Sequence, residues 1–154
     1  MAPLLLRNRG NGTFENLSST LGAAFNRPVM GRGASYLDFD GDGDLDLVMT
    51  TLNGPAVLFR NDASHTNHWL RVQARGTTSN RSGIGAVVRI TTASGTQWQQ
   101  VHSGSSYASQ SELTLTFGSS ADTRASKIEI TWPSGKVQTL TDVPANQMLQ
   151  VVER

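Results

Sequence analysis

From residue 67 onward, apolar and polar positions alternate with a period of two and show little helical rhythm, the pattern of half-buried strands. Leu70, Val72 and Ala74 alternate with Arg71, Gln73 and Arg75. Residues 86–92 form a second run rich in β-branched side chains, and residues 97–102 a third, reached through the turn Ala93-Ser94-Gly95. Leu113, Leu115 and Phe117 continue the alternation, as do Ile128, Ile130 and Trp132 between Glu129 and Thr131. Pro133-Ser134-Gly135 turns the chain into residues 136–140, and 148–152 closes it. About seven short strands separated by turns predict an antiparallel β-sandwich or small barrel.

The first 62 residues read differently. Leu4-Leu5-Leu6-Arg7-Asn8 is echoed 53 positions later by Val57-Leu58-Phe59-Arg60-Asn61, each a short apolar strand ending in Arg-Asn. Periods of about 40–50 residues with several strands per unit are the sequence mark of propeller blades. Between the echoes, Gly10-Asn11-Gly12-Thr13-Phe14 reads as a turn. Strands are expected over 34–37 and 46–51, with Asn53-Gly54 as a hairpin signal into 57–59. This predicts a partial propeller-like blade over 1–62, a polar connector over 62–67, and a second β domain over 67–154.

Between two of the expected strands lies Asp38-Phe39-Asp40-Gly41-Asp42-Gly43-Asp44-Leu45-Asp46, five carboxylates in nine residues. Folding such a loop brings like charges together, and a hard cation relieves the repulsion. Oxygen-only ligands on a Gly-containing loop are what Ca²⁺ takes, whereas Mg²⁺ demands stricter octahedral geometry. The expected ligands are side-chain oxygens of Asp38, Asp40, Asp42 and Asp46 with the backbone carbonyl of Asp44, and Gly43 permits the sharp turn. The opening matches an EF-hand loop, but Met49 stands where its closing Glu would be, and the flanks read as strands. A solvated acidic turn is the plainer alternative.

The loop distorts the overall charge of +1: five of the twelve acids sit in it, leaving seven elsewhere against thirteen Lys and Arg. Those bases are scattered, so no nucleic-acid stripe is expected. There is no cysteine, which excludes disulfides and Cys-ligated zinc. No apolar run approaches the roughly 18 residues of a membrane span. Millimolar Ca²⁺ is an extracellular condition, so an extracellular or periplasmic location is expected, the signal sequence lying outside this chain.

The segment from Asn8 to Phe14 followed by 38–47 resembles an FG-GAP or VCBS repeat of the integrin-α propeller type, whose Ca²⁺ loop D-x-[DN]-x-D-G-x-x-D is matched at every acidic position. The remainder resembles an ASPIC/UnbV domain. The matching pieces are Asn80-Arg81-Ser82-Gly83-Ile84-Gly85-Ala86, Ser103-Gly104-Ser105-Ser106-Tyr107, Ser109-Gln110, Phe117-Gly118, Trp132-Pro133-Ser134-Gly135 and Val143-Pro144-Ala145-Asn146-Gln147. This resemblance implies large secreted or cell-surface proteins with a full propeller, of which the chain would be the C-terminal part. It implies a calcium-stabilised module for adhesion or protein interaction. Alternatives are an accessory domain of a bacterial propeller-type biosynthetic enzyme and a carbohydrate-binding module. The expected partners are a protein or a glycan, with self-association as a further expectation.

Support for catalysis is thin. No G-x-S-x-G elbow occurs, and a His102/Ser105 pair lacks an orienting carboxylate at a recognisable spacing. His65 and His68 read as linker residues. Trp132 is in phase with core positions, whereas Trp69 and Trp98 are out of phase and are expected to face outward or into a domain interface. Trp69, Trp98 and Tyr107 could also form a sugar-binding platform, and Arg81 beside Gly83-Ile84-Gly85 could hold an anion with backbone amides, although turn geometry alone accounts for the glycines.

Overall fold

The computed structural model describes residues 1–62 and 66–154, and half of the connector, His65 included, falls outside the described residues. The expected β class holds throughout. An N-terminal hairpin pairs β1 (Leu6–Asn8) with β2 (Phe14–Asn16), the second strand emerging where the sequence showed only the end of a turn. A 3-10 turn at Ser18–Thr20 and one helical turn, α1 (Gly22–Phe25), follow. Three antiparallel strands come next, β3 (Gly31–Leu37), β4 (Asp46–Thr51) and β5 (Val57–Phe59), in the order β3-β4-β5.

The C-terminal part contains the seven anticipated strands: β6 (His68–Arg75), β7 (Val87–Thr92), β8 (Gly95–Gln100), β9 (Leu115–Ser120), β10 (Arg124–Thr131), β11 (Val137–Pro144) and β12 (Gln147–Val152). They form two sheets, β11-β10-β7-β8 and β12-β6-β9. One pair departs from the antiparallel expectation, because β12 runs parallel to β6. The reversal at Ala145-Asn146 carries the chain from β11 in one sheet to β12 in the other. A partner 77 residues away in sequence puts no hairpin constraint on direction.

Period-two alternation sends Leu70, Val72 and Ala74 of one sheet against Val88, Ile90, Ile128 and Ile130 of the other, with Phe117, Val101 and Trp132 completing the core. Trp132 is buried, as its phase required. The open side between β8 and β9 is closed by side chains: Gln97 Nε2 donates to the Gly118 carbonyl at 2.6 Å and Gln99 Nε2 to that of Thr116 at 2.7 Å. At the far end, buried Glu153 accepts from the amides of Thr77, Thr78 and Ser79 and from the hydroxyls of Ser79 and Ser134, tying a loop and a turn to β12.

The N-terminal part buries far less apolar surface. Phe25 and Met49 are its buried apolar side chains, while Leu4, Leu5, Leu21, Leu52 and Leu58 remain exposed. An open cleft of about 600 Å³ runs between Leu5, Leu21, Phe25, Leu47 and Phe59. What the blade-like sheet does have is a junction with the C-terminal part. Along β3 the Ala34 and Tyr36 amides donate to the Ser106 and Ser111 hydroxyls, and the Glu112 amide donates to the Tyr36 carbonyl.

Candidate metal centre

The acidic loop joins β3 to β4, so its two ends are fixed by adjacent strands paired at Leu37 and Asp46. Gly41 and Gly43 adopt φ of +82° and +96°, a left-handed conformation that ordinary side chains resist. The carboxylates themselves cap the turn. Asp38 Oδ1 accepts from the Gly41 amide at 2.7 Å and Oδ2 from the Gly43 amide at 3.1 Å, while Asp42 Oδ1 accepts from the Asp44 amide at 2.8 Å. Wound this way, Asp38, Asp40 and Asp42 each present a carboxylate oxygen within 4.8 Å of the others.

Asp46 takes a different position. It is 2% exposed, and its two oxygens accept from the Phe39 and Asn61 amides, both at 2.7 Å. It thus ties the loop's start to the segment after β5, and each oxygen keeps a further lone pair. The side chain of Asp44 lies outside the Asp38–Asp40–Asp42 group, the role expected of this residue being that of its backbone carbonyl. At the rim, Arg60 lies 3.8 Å from Asp40 and 2.7 Å from Asp62, and its bond to Asp62 raises its pKa above the ordinary arginine value.

Two residues of β6 reach the loop from the C-terminal part. A Cβ built on Gly43 would lie 2.0 Å from Trp69 Cε2, so the indole occupies the space a side chain at 43 would need. Arg71 Nη1 donates to Asp38 Oδ2 at 2.6 Å, Nη2 pairs with Glu112 Oε2, and Nε donates to Thr116 Oγ1 at 3.2 Å. Here the Asp38 side chain is 0% and that of Arg71 8% exposed. Arg71 and Glu112 were absent from the sequence candidates; the available signal was phase, since Arg71 shares the strand face of Trp69.

The donor set fits a hard divalent cation. All its atoms are oxygens, the loop fixes their approach, and Asp38 Oδ1 retains a lone pair after its bond to Gly41. Charge balance points the same way. Asp38 and Glu112, both largely withdrawn from water, share the one guanidinium of Arg71, and Glu112 Oε1 is buried with no hydrogen-bond partner among the described residues.

The remaining candidates lie apart. Trp69 lies against Gly43 of the acidic loop. Trp98 is 63% exposed on β8, opposite Arg89 of β7, and Tyr107 is 74% exposed beyond the β3 junction. Arg81 is exposed, but the neighbouring amides are engaged within the fold: Gly83 donates to the Asn80 carbonyl, Ile84 to Asn80 Oδ1 and Gly85 to the Val101 carbonyl. His68 Nδ1 meets Asn146 Nδ2 at 2.8 Å. His102 Nε2 does lie 2.8 Å from Ser105 Oγ, yet its Nδ1 faces the Gln100 carbonyl rather than a carboxylate.

Two family models match the chain. The family model for an FG-GAP-like repeat matches residues 2–49, and that for ASPIC and UnbV matches residues 76–154. Cartilage acidic protein 1 of Mus musculus is 33% identical over 153 residues, covering 97% of this chain and 23% of that protein. The Homo sapiens protein is 33% identical over the same share of this chain and 22% of its own length. That of Xenopus tropicalis is 36% identical over 112 residues, 71% of this chain and 17% of its own. The chain therefore spans less than a quarter of these relatives.

Proposed function

The chain belongs to the ASPIC and UnbV family, and from that premise we propose that it is a calcium-stabilised extracellular β module serving adhesion or protein interaction within a larger propeller-type protein. One observation carries this reading: Asp38, Asp40 and Asp42 converge within 4.8 Å on a loop whose glycines hold left-handed turns. These three carboxylates would hold the ion, with the Asp44 carbonyl and the spare lone pairs of Asp46 as further donors. Bound there, Ca²⁺ supplies positive charge and no reactive chemistry. The protein's own part is to keep the oxygens converged through the amides of Gly41, Gly43 and Asp44.

The adhesive or partner-binding role draws support from the relatives, whose name places them with cartilage, and from the exposed leucines of the N-terminal part. Calorimetric unfolding in Ca²⁺ and in EDTA, at two protein concentrations, tests the reading. The expected result is a melting point that rises with Ca²⁺ through binding linkage. A melting point indifferent to Ca²⁺ reduces the loop to a solvated turn. A rise with protein concentration as well assigns the leucine face to self-association.

A glycan-binding reading is favoured by one feature, the exposed indole of Trp98 beside Arg89 on an open sheet face. Quenching or shift of tryptophan fluorescence by soluble polysaccharide, abolished in Trp98→Ala, would establish it. Unchanged emission would dismiss it.

A further inference from the structure

We infer that Arg71 is an internal counter-charge that sets the cation affinity of the acidic loop and makes it depend on the docking of the C-terminal part. The inference rests on the calcium reading and concerns what controls that site. Arg71 stands on β6, outside the N-terminal part that supplies the loop, yet its guanidinium lies 2.6 Å from Asp38, one of the three converging carboxylates. The contact is almost entirely withdrawn from water, so the charge of Arg71 is poorly screened there. A cation held by Asp38, Asp40 and Asp42 has to share Asp38 with this guanidinium.

Two opposite consequences meet at one contact. Without a cation, Arg71 neutralises a buried carboxylate that would otherwise stand uncompensated. With a cation present, Arg71 is a like charge beside it and lowers the affinity. Glu112 acts the other way, because its pairing with Arg71 cancels part of that positive charge. Coupling of this kind is reciprocal. The cation weakens the grip of Arg71 on Asp38, so a loop of the N-terminal part and a strand of the C-terminal part each respond to the state of the other.

The sign of the effect separates this role from a merely structural one. Isothermal titration of the intact chain with Ca²⁺ is compared with Arg71→Met, Arg71→Lys and Glu112→Gln. Arg71→Met removes the positive charge and should bind Ca²⁺ about tenfold more tightly, whereas Glu112→Gln should bind about tenfold more weakly. Arg71→Lys, which keeps the charge, should remain near the parent. Affinities that fall together in Arg71→Met and Glu112→Gln, or that stay unchanged, overturn the inference. If Arg71→Met does not fold without Ca²⁺, Glu112→Gln decides alone, since it leaves the Arg71–Asp38 pair in place. A parent chain that binds no Ca²⁺ overturns the calcium reading and this inference with it; a parent that binds with variants that do not diverge overturns this inference only.

Discussion

The indole of Trp69 lies over Gly43, with Cε2 2.0 Å from where a Cβ at that position would sit. Gly43 therefore answers two demands, a φ of +96° and a close approach by a ring from another sheet. Gly41, at φ +82°, answers only the first, since nothing lies within 4 Å of its Cβ position. Gly43→Ala should cost about 2–4 kcal/mol, combining backbone strain with overpacking, and Gly41→Ala only about 1 kcal/mol. Urea unfolding of the two variants beside the parent checks the difference; equal losses would mean that Trp69 yields freely.

Asp46→Asn should destabilise the protein without cation by about 1.5–3 kcal/mol. The substitution leaves one oxygen where two accept backbone amides, and it turns an NH₂ group towards a donor, Phe39 N or Asn61 N. Measuring unfolding in EDTA isolates this bracing role, because any contribution of Asp46 to an ion is then absent. A variant as stable as the parent in EDTA would refute the brace.

Acid sensitivity should be traceable to Glu153. Burial works against its charged form, but the Ser134 hydroxyl together with the Ser79 and Thr77 amides outweighs it and holds the pKa down at about 2, against an ordinary 4.5. A depressed folded-state value means that the carboxylate's contribution is fully present above pH 4.5 and is lost as pH falls towards 2. The stability gap between the parent and Glu153→Gln should therefore be widest at neutral pH and narrow steadily below 4.5. A gap constant across that window would show that the charge is not what the five donors hold.

Truncations should cost very different amounts in the two parts. Ile128 is fully buried between the sheets, so Ile128→Ala should lose about 2–5 kcal/mol. Leu58, on β5, is 42% exposed, and Leu58→Ala in the isolated chain should lose less than about 1 kcal/mol. Denaturant midpoints suffice to compare them, and a large loss at Leu58 would show that its side chain is packed, by the chain itself or by a second copy.

Strand positions in the C-terminal part were legible because each has one wet and one dry face, and the alternation at Leu70–Ala74 or Ile128–Trp132 records it directly. The acidic loop was legible for an electrostatic reason, since five carboxylates in nine residues require an explanation wherever they fold. Alternation could not single out Arg71. Alternation placed it correctly on the face away from the core, and a charged residue on that face reads as solvated. It is buried because a second structural unit covers it, and covering by a distant segment leaves no periodic trace. The bracing role of Asp46 was hidden for a related reason. Its partners are backbone amides, at Phe39 and Asn61, and amides carry no sequence identity. The parallel direction of β12 was also out of reach, being decided by a reversal between sheets rather than by any local pattern.

That parallel pairing has a consequence for how the protein is made. β6 is the central strand of its sheet, and its neighbours are β9 and β12, the latter coming after β7 to β11 in the chain. Nearly the whole of the C-terminal part must therefore leave the ribosome before the sheet that carries Trp69 and Arg71 can assemble, and pairing over such separations is slow. Until then the acidic loop emerges with its own carboxylates and no guanidinium beside Asp38. For that interval the nascent chain would be at its most responsive to whatever cation the surrounding compartment provides.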